Sequence, residues 1–182
     1  MTPEEAHKDA LKDFSEEERF LVRKALSRLS AHDDTPAHLT ERLSQYTYRD
    51  RKVSPESAAR AVDFLVGAGL LNEEAYAKNL VRALLSRGYG KRRIGGELYR
   101  RRFSAFVTEE VLSGLSEEEA EEEEAGRAFA MLSRRAASRH SDPDDRAEMG
   151  RLYGYLARLG YSSEVASAAI RRFQNGEEKT DG

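Results

Sequence analysis

The chain has no cysteine. That excludes disulfides, thiolate metal sites and a cysteine nucleophile. No apolar run is long enough to span a membrane, and the N-terminus lacks a signal-peptide core. These absences predict a soluble, cytoplasmic protein. Histidine is sparse: His7, His32, His38 and His140 are scattered and share no helix face. Glu4-Glu5-Ala6-His7 has the Glu-x-x-His spacing of a di-iron helix, but such sites need a second copy and further carboxylates. Gly88-Tyr89-Gly90 begins like a dinucleotide loop, yet Arg93 stands where the third glycine belongs and no strand pattern precedes it. Gly90-Lys91 likewise lacks the earlier glycine and the Ser or Thr of a phosphate loop. Alternation of β-branched residues is absent. No metal, no cofactor and no catalytic constellation are expected, so the sequence does not read as an enzyme.

What is present is charge. Of the 182 residues, 35% are charged and 39% hydrophobic, which suits helices with one narrow apolar stripe. The net charge of -3 hides strong local asymmetry. Each of the four prolines (Pro3, Pro36, Pro55, Pro143) follows Thr, Ser or Asp. That is a cap followed by a first helical turn, where the missing N–H costs nothing. The expected fold class is all-α.

The central stretch, Asn72 to Leu115, reads as three short helices. Asn72 caps the first, with Ala77, Leu80, Val81 and Leu84 on one face. Gly88 suits the left-handed position past its end. Lys91-Arg92-Arg93 opens the second, with Ile94 and Leu98 inside. Ser104 introduces the third, carrying Val107, Val111, Leu112 and Leu115. Before this stretch, Ser15-Glu16-Glu17-Glu18 fits a capping box for a helix with Phe20, Leu21, Ala25, Leu26 and Leu29 on one stripe. Thr35-Pro36 and Ser54-Pro55 start two more helices, joined by a polar link from Tyr46 to Lys52. After it, Ser116-Glu117-Glu118-Glu119 is predicted to open a long helix to about Arg139. Asp142-Pro143 and Ser162 start the last two.

Three segments align on the serine before each third helix: Ser54, Ser104 and Ser162. Eight positions later stand Val62, Leu112 and Ile170. Three further on stand Leu65, Leu115 and Phe173. Phe103 pairs with Tyr161, Leu98 with Leu156, and Ile94 with Leu152. The expectation is an elongated tandem array of three three-helix, helix-turn-helix-like repeats, at residues 15–71, 72–115 and 116–175. Residues 1–14 and 176–182 are read as polar, flexible tails.

One feature rises above background. Arg87, Lys91, Arg92, Arg93, Arg100, Arg101 and Arg102 fall in one helix-turn-helix, opposed chiefly by Glu97 and interleaved with Tyr89, Tyr99 and Phe103. Arginine favours planar anions. Three readings compete: a solvated face partly paired with the acidic stretch 117–124, phosphate contact with nucleic acid, or docking to an acidic protein surface. Ile94 to Arg102 offers no Asn, Gln or Ser for base edges, which argues against sequence-specific readout. Arg134, Arg135 and Arg139 form a weaker second group.

Leu70-Leu71-Asn72-Glu73-Glu74-Ala75-Tyr76-Ala77, then Arg87-Gly88-Tyr89-Gly90, Arg93-Ile94 and Glu97-Leu98, resemble the RecX family of bacterial regulators of the RecA recombinase. Leu156 to Ser162 looks like that family's third-repeat signature. The likeness runs from about Ala25 to Phe173. Two places depart from it. His32-Asp33-Asp34 stands where the first repeat often carries a basic residue. Arg102-Phe103-Ser104 replaces a Gly-aliphatic-Ser turn. The resemblance implies a monomeric module without an active site. It would bind the RecA–single-stranded-DNA filament and oppose filament growth, ATPase, strand exchange and co-protease activity. Beside the filament, weak direct binding to single- or double-stranded DNA is expected of such a module. The alternative is a helix-turn-helix-like DNA-binding protein acting without RecA, which would bind duplex tightly. A helical adaptor for an unrelated partner is the third class. The partner-binding candidates are Arg87, Lys91, Arg92, Arg93, Arg100, Arg101, Arg102, Arg134 and Arg135.

Overall fold

A computed structural model describes residues 11–118 and 121–176. The Glu4-x-x-His7 spacing, Pro3 and most of both expected tails lie outside the described residues. Among the described residues a 3-10 turn, Leu11–Asp13, leads into nine α-helices. These are α1 (Glu16–Leu29), α2 (Pro36–Leu43), α3 (Pro55–Gly67), α4 (Glu73–Ser86), α5 (Lys91–Arg100), α6 (Ala105–Glu118), α7 (Glu121–Arg139), α8 (Arg146–Leu159) and α9 (Ser163–Gln174). The protein is all-α and built of helical repeats.

The caps explain the helix starts. Ser15 and Glu18 close a reciprocal capping box on α1. Thr35, Ser54, Ser104 and Ser162 each accept a hydrogen bond from the backbone N–H three residues on. Asn72 does the same for Ala75. The apolar residues just before the three aligned serines, Val53, Phe103 and Tyr161, are all buried.

Three expected elements differ. Asp142-Pro143 forms a turn, not a helix start. Asp142 Oδ1 accepts from the Asp144 N–H, and Asp145 caps α8 by accepting from Ala147 and Glu148. Three aspartates (Asp142, Asp144 and Asp145) flank one proline, and the last of them takes the cap. Nor does Ser116 open a helix: α6 runs on to Glu118. A Ser-x-x-Glu box with no breaker before it is also ordinary helix sequence. Glu119 and Ala120 lie outside the described residues. Tyr46 to Lys52 holds a small antiparallel hairpin, Thr47–Tyr48 against Arg51–Lys52. Arg49 and Asp50 turn it with φ of 49° and 63°, the twist favoured by tight hairpins. Strands of two residues are too short to show alternation. On α1 the buried face is Leu21, Val22 and Ala25, while Leu26 is exposed.

The chain packs as two compact units. The first comprises Met1–Ala77 and Arg101–Val107, the second Lys78–Arg100 and Thr108–Gly182. In the first, α1 and α2 pack on α3 around Leu21, Val22, Leu39, Leu43, Val62 and Leu65. The turn at 101–104 is tied into that unit: Thr35 donates its hydroxyl to the Arg101 carbonyl (3.0 Å), and the Ser104 N–H donates to Glu73 (2.8 Å). Arg102 sits there with φ 60°, a left-handed position that glycine takes without strain. In the second unit, α7, α8 and α9 enclose Phe129, Leu132, Leu152, Leu156, Tyr161 and Ala169. Ile94 and Leu98 of α5 are fully buried, as the helical spacing predicts.

Candidate functional site

The Arg87 to Arg93 hinge lies in the second unit and is fastened by backbone. The Gly90 N–H donates to the Leu159 carbonyl (2.9 Å) and the Arg92 N–H to the Gly160 carbonyl (3.2 Å). Tyr161 is 2% exposed and donates its hydroxyl to the Gly88 carbonyl at 3.0 Å. Burial pushes that phenol up to about 12. The glycines follow from this approach. A Cβ on Gly90 would stand 2.7 Å from the Gly160 backbone carbon, and one on Gly160 would collide with the Arg93 backbone. Gly88 and Gly160 also hold φ of 78° and 93°. Both glycine-bearing turns are therefore constrained by contact as well as by dihedral angle.

On this base stand the expected cations. Arg87, Lys91, Arg92 and Arg93 are exposed. Arg93 lies over the Tyr89 ring at 4.5 Å and donates to the Arg158 carbonyl at 3.3 Å. The Lys91 backbone N–H faces Glu124 at 3.4 Å. Arg100 is ion-paired with Glu97 one helical turn earlier. Arg101 and Arg102 belong to the first unit instead. Arg101 donates to the Tyr76 hydroxyl at 2.8 Å, and Arg102 pairs with Glu41 at 2.7 Å. The side chains nearest the 101–104 turn thus serve its attachment. Of the interleaved aromatics, Phe103 is buried and packs on Tyr76, whereas Tyr99 is 85% exposed.

The second arginine group is extended by residues that sequence alone did not bring forward. Arg135 and Arg139 of α7, with Arg151 and Arg158 of α8, line an open cleft of about 250 Å³ that also holds Glu148 and Tyr155. Arg134 is exposed outside this lining. Arg135 lies over the Tyr155 ring at 5.5 Å. Glu148 accepts from Ser141 (2.7 Å) and Arg151 (2.6 Å), which hold its carboxyl below the usual range. The signal was available: Arg135 and Arg139 are four apart, and Arg151, Gly154 and Arg158 share one face of α8. Their meeting depends on how α7 packs against α8, which spacing does not give.

The first unit holds a second basic cleft, about 240 Å³, lined by Lys24, Arg28, Arg42, Leu43, Gln45 and Tyr46. Asp34, 4% exposed, stands behind it and accepts from Arg28 Nε (2.7 Å), His38 Nδ1 (2.6 Å) and the Thr35 N–H (3.0 Å). Burial alone would raise the Asp34 carboxyl. The hydrogen bonds from Arg28 and His38 outweigh it and lower the value. Among the described residues no group of three or more His, Asp or Glu side chains could hold a metal ion, and no helix is long and apolar enough to cross a membrane.

Comparison with known proteins gives one consistent result. The family model described as RecX, second three-helix domain, matches residues 72–112, which carry α4, α5 and part of α6. The chain is 32% identical over 142 residues to the regulatory protein RecX of Trichlorobacter lovleyi, spanning 78% of this chain and 87% of the relative. It is 30% identical over 155 residues to that of Halorhodospira halophila, spanning 85% and 89%. The fold is similar to the crystal structure of RecX from Lactobacillus salivarius, with a TM-score of 0.72 at 16% identity over 87% of this chain and 97% of that one. Relatives this similar over most of both lengths, with the second-domain pattern lying on the glycine-fastened hinge and its arginines, establish that the chain belongs to the RecX family.

Proposed function

We propose that this chain regulates the RecA recombinase. It binds the RecA–single-stranded-DNA filament and opposes its growth, ATP hydrolysis, strand exchange and co-protease activity, without an active site of its own. Its three three-helix repeats follow residues 15–71, 72–115 and 116–175, with the second boundary moved past Glu118 because α6 runs to that residue.

The observation that carries this reading is the outer face of α5. Arg92, Gly96 and Tyr99 fall at i, i+4 and i+7 and are all exposed, with Lys91 beside them. Gly96 is informative. A glycine inside a helix costs about 1 kcal/mol relative to alanine. A Cβ there would meet nothing within 4 Å, so nothing in the protein requires its absence. A face that is flat in the middle, cationic at one end and aromatic at the other suits close approach by an anionic, repetitive partner. Arg87, Lys91, Arg92 and Arg93 are the principal contacts. Arg134 and Arg135 extend them, with Arg100, Arg101 and Arg102 as further contacts.

The test mixes the protein with RecA, single-stranded DNA and ATP. ATP turnover and strand exchange fall as protein is added, and the double variant Lys91→Glu/Arg92→Glu loses most of that effect. Gly96→Ala weakens it while leaving the fold at least as stable. Unchanged turnover and exchange at excess protein defeat the proposal. A second reading, DNA binding without RecA, is favoured by Tyr99, since an exposed ring offers a stacking platform for bases. It predicts tight binding with a log–log salt slope of about -0.9 per neutralised duplex phosphate. Weak binding at physiological salt counts against it.

A further inference from the structure

The cleft of the first unit has the construction of a ligand site. Three of its six lining side chains, Lys24, Arg28 and Arg42, are cations, and none is a carboxylate. Each cation is held in place from behind. Arg28 gives its Nε to buried Asp34. Arg42 gives its Nε to His38 Nε2 at 3.3 Å, and the His38 Nδ1 side meets the same Asp34 carboxylate at 2.6 Å. One buried carboxylate therefore positions two guanidiniums, one directly and one through the His38 ring. Lys24 lies over the rings of Phe20 and Tyr46 at 5.5 and 5.8 Å. In both arginines the Nε edge is used, and among the described residues the terminal Nη groups are left for a ligand.

A purely structural role accounts for only part of this. The Arg28–Asp34 pair closes the turn between α1 and α2. That turn has no need of Arg42 or Lys24, which are exposed and meet no carboxylate among the described residues. Three like charges around one small cleft repel one another, and a bound dianion relieves that repulsion. Side chains fixed beforehand also lose less freedom on binding. Planar guanidiniums and an ammonium suit phosphate oxygens, and about 240 Å³ accommodates one phosphate with part of its substituent.

We propose that Lys24, Arg28 and Arg42 form a phosphate-binding site. The phosphate comes from a nucleic-acid backbone or from the terminal group of a free nucleotide. The site is separate from the α5 face and operates without RecA.

The full-length chain is titrated with orthophosphate and ADP by calorimetry, and with a labelled oligothymidylate by fluorescence anisotropy. The double variant Lys24→Gln/Arg42→Gln, on exposed positions, is the comparison, and its melting temperature is recorded alongside. The expected result is saturable phosphate binding weakened roughly tenfold or more in the variant, with melting unchanged. Weakening that extends to the oligonucleotide identifies a backbone phosphate, whereas weakening confined to ADP and orthophosphate identifies a free nucleotide. Equal binding of all three probes by native protein and variant overturns the proposal and leaves a solvated basic patch. The assay contains no recombinase, so that failure leaves the filament reading standing.

Discussion

In the first unit the carboxylate stands behind the arginines; in the second it stands among them. Asp34 lies outside the lining of its cleft, so the Arg28–Asp34 pair sits at the back and no carboxylate stands among Lys24, Arg28 and Arg42 where a ligand would enter. Glu148 is part of the lining of the other cleft and pairs with Arg151, so four arginines there carry one local counter-charge. The lesson is that counting arginines does not give a potential. The first cleft has fewer cations and no acid at its mouth. Its buried aspartate acts as a fixing point, whereas Glu148 competes for the same guanidinium an anion would use.

Four measurements would break or sharpen this contrast. The largest effect is expected from Gly90→Ala, whose new Cβ meets the Gly160 backbone at 2.7 Å. A loss on the order of 3 kcal/mol is expected, because neither backbone can give way. Hydrogen exchange read by mass spectrometry should show protection falling across α7 to α9 before α1 to α3; uniform loss would mean the two units do not unfold separately.

Asp34→Ala comes next, at roughly 2–3 kcal/mol by urea unfolding, since it strands Arg28, His38 and the Thr35 N–H together. Glu148→Ala should cost less, because its partner Arg151 is 64% exposed and is taken up by water. Equal losses from the two substitutions would erase the distinction drawn between the clefts.

The third is pH. Asp34 is held below the ordinary carboxylate value of 3.8. Its stabilisation is therefore complete above that value and is lost as pH falls through the lower folded one. Asp34→Asn should flatten the acid limb of a stability–pH profile. Tyr161 works in the opposite sense. Its phenol is raised from 10.0 to about 12, so its contribution is whole below 10.0 and is lost as pH rises towards 12. Tyr161→Phe should flatten the alkaline limb and leave the acid one alone.

The smallest effect is a gain. Gly96→Ala meets nothing within 4 Å and should stabilise the second unit by up to about 1 kcal/mol in thermal unfolding. A loss instead would mean that the flat face of α5 is required by the fold and not reserved for a partner.

Much of the fold was legible because its signals are local. Ser15, Thr35, Ser54, Ser104 and Ser162 cap where hydroxyl and spacing place them, and Gly88 and Gly160 end their helices in the left-handed region. Asp145 took the cap expected of Asp142 because three acids in one short turn offer the same chemistry. Arg102 adopts a glycine-like dihedral; the arginine itself does not signal it, but the resemblance did, since this position takes the place of the glycine in a Gly-aliphatic-Ser turn. The candidate site was less legible for a different reason. Arg87 to Arg93 are contiguous and stand out in the sequence. The cleft residues Arg151 and Arg158 gain meaning only when α8 is laid against α7. Asp34 read as a plain acidic residue, because burial converts an acid into an anchor and burial is a property of the fold.

The bond from Tyr161 to Gly88 joins residues 73 positions apart. On the ribosome, at about 5–20 residues per second, the hinge therefore waits roughly 4–15 seconds for the phenol that will secure it. Residues up to Val107, which complete the first unit, are made well before that moment. A nascent chain halted between the two would display its arginines on an unsecured loop, beside a first unit with all its residues already synthesised.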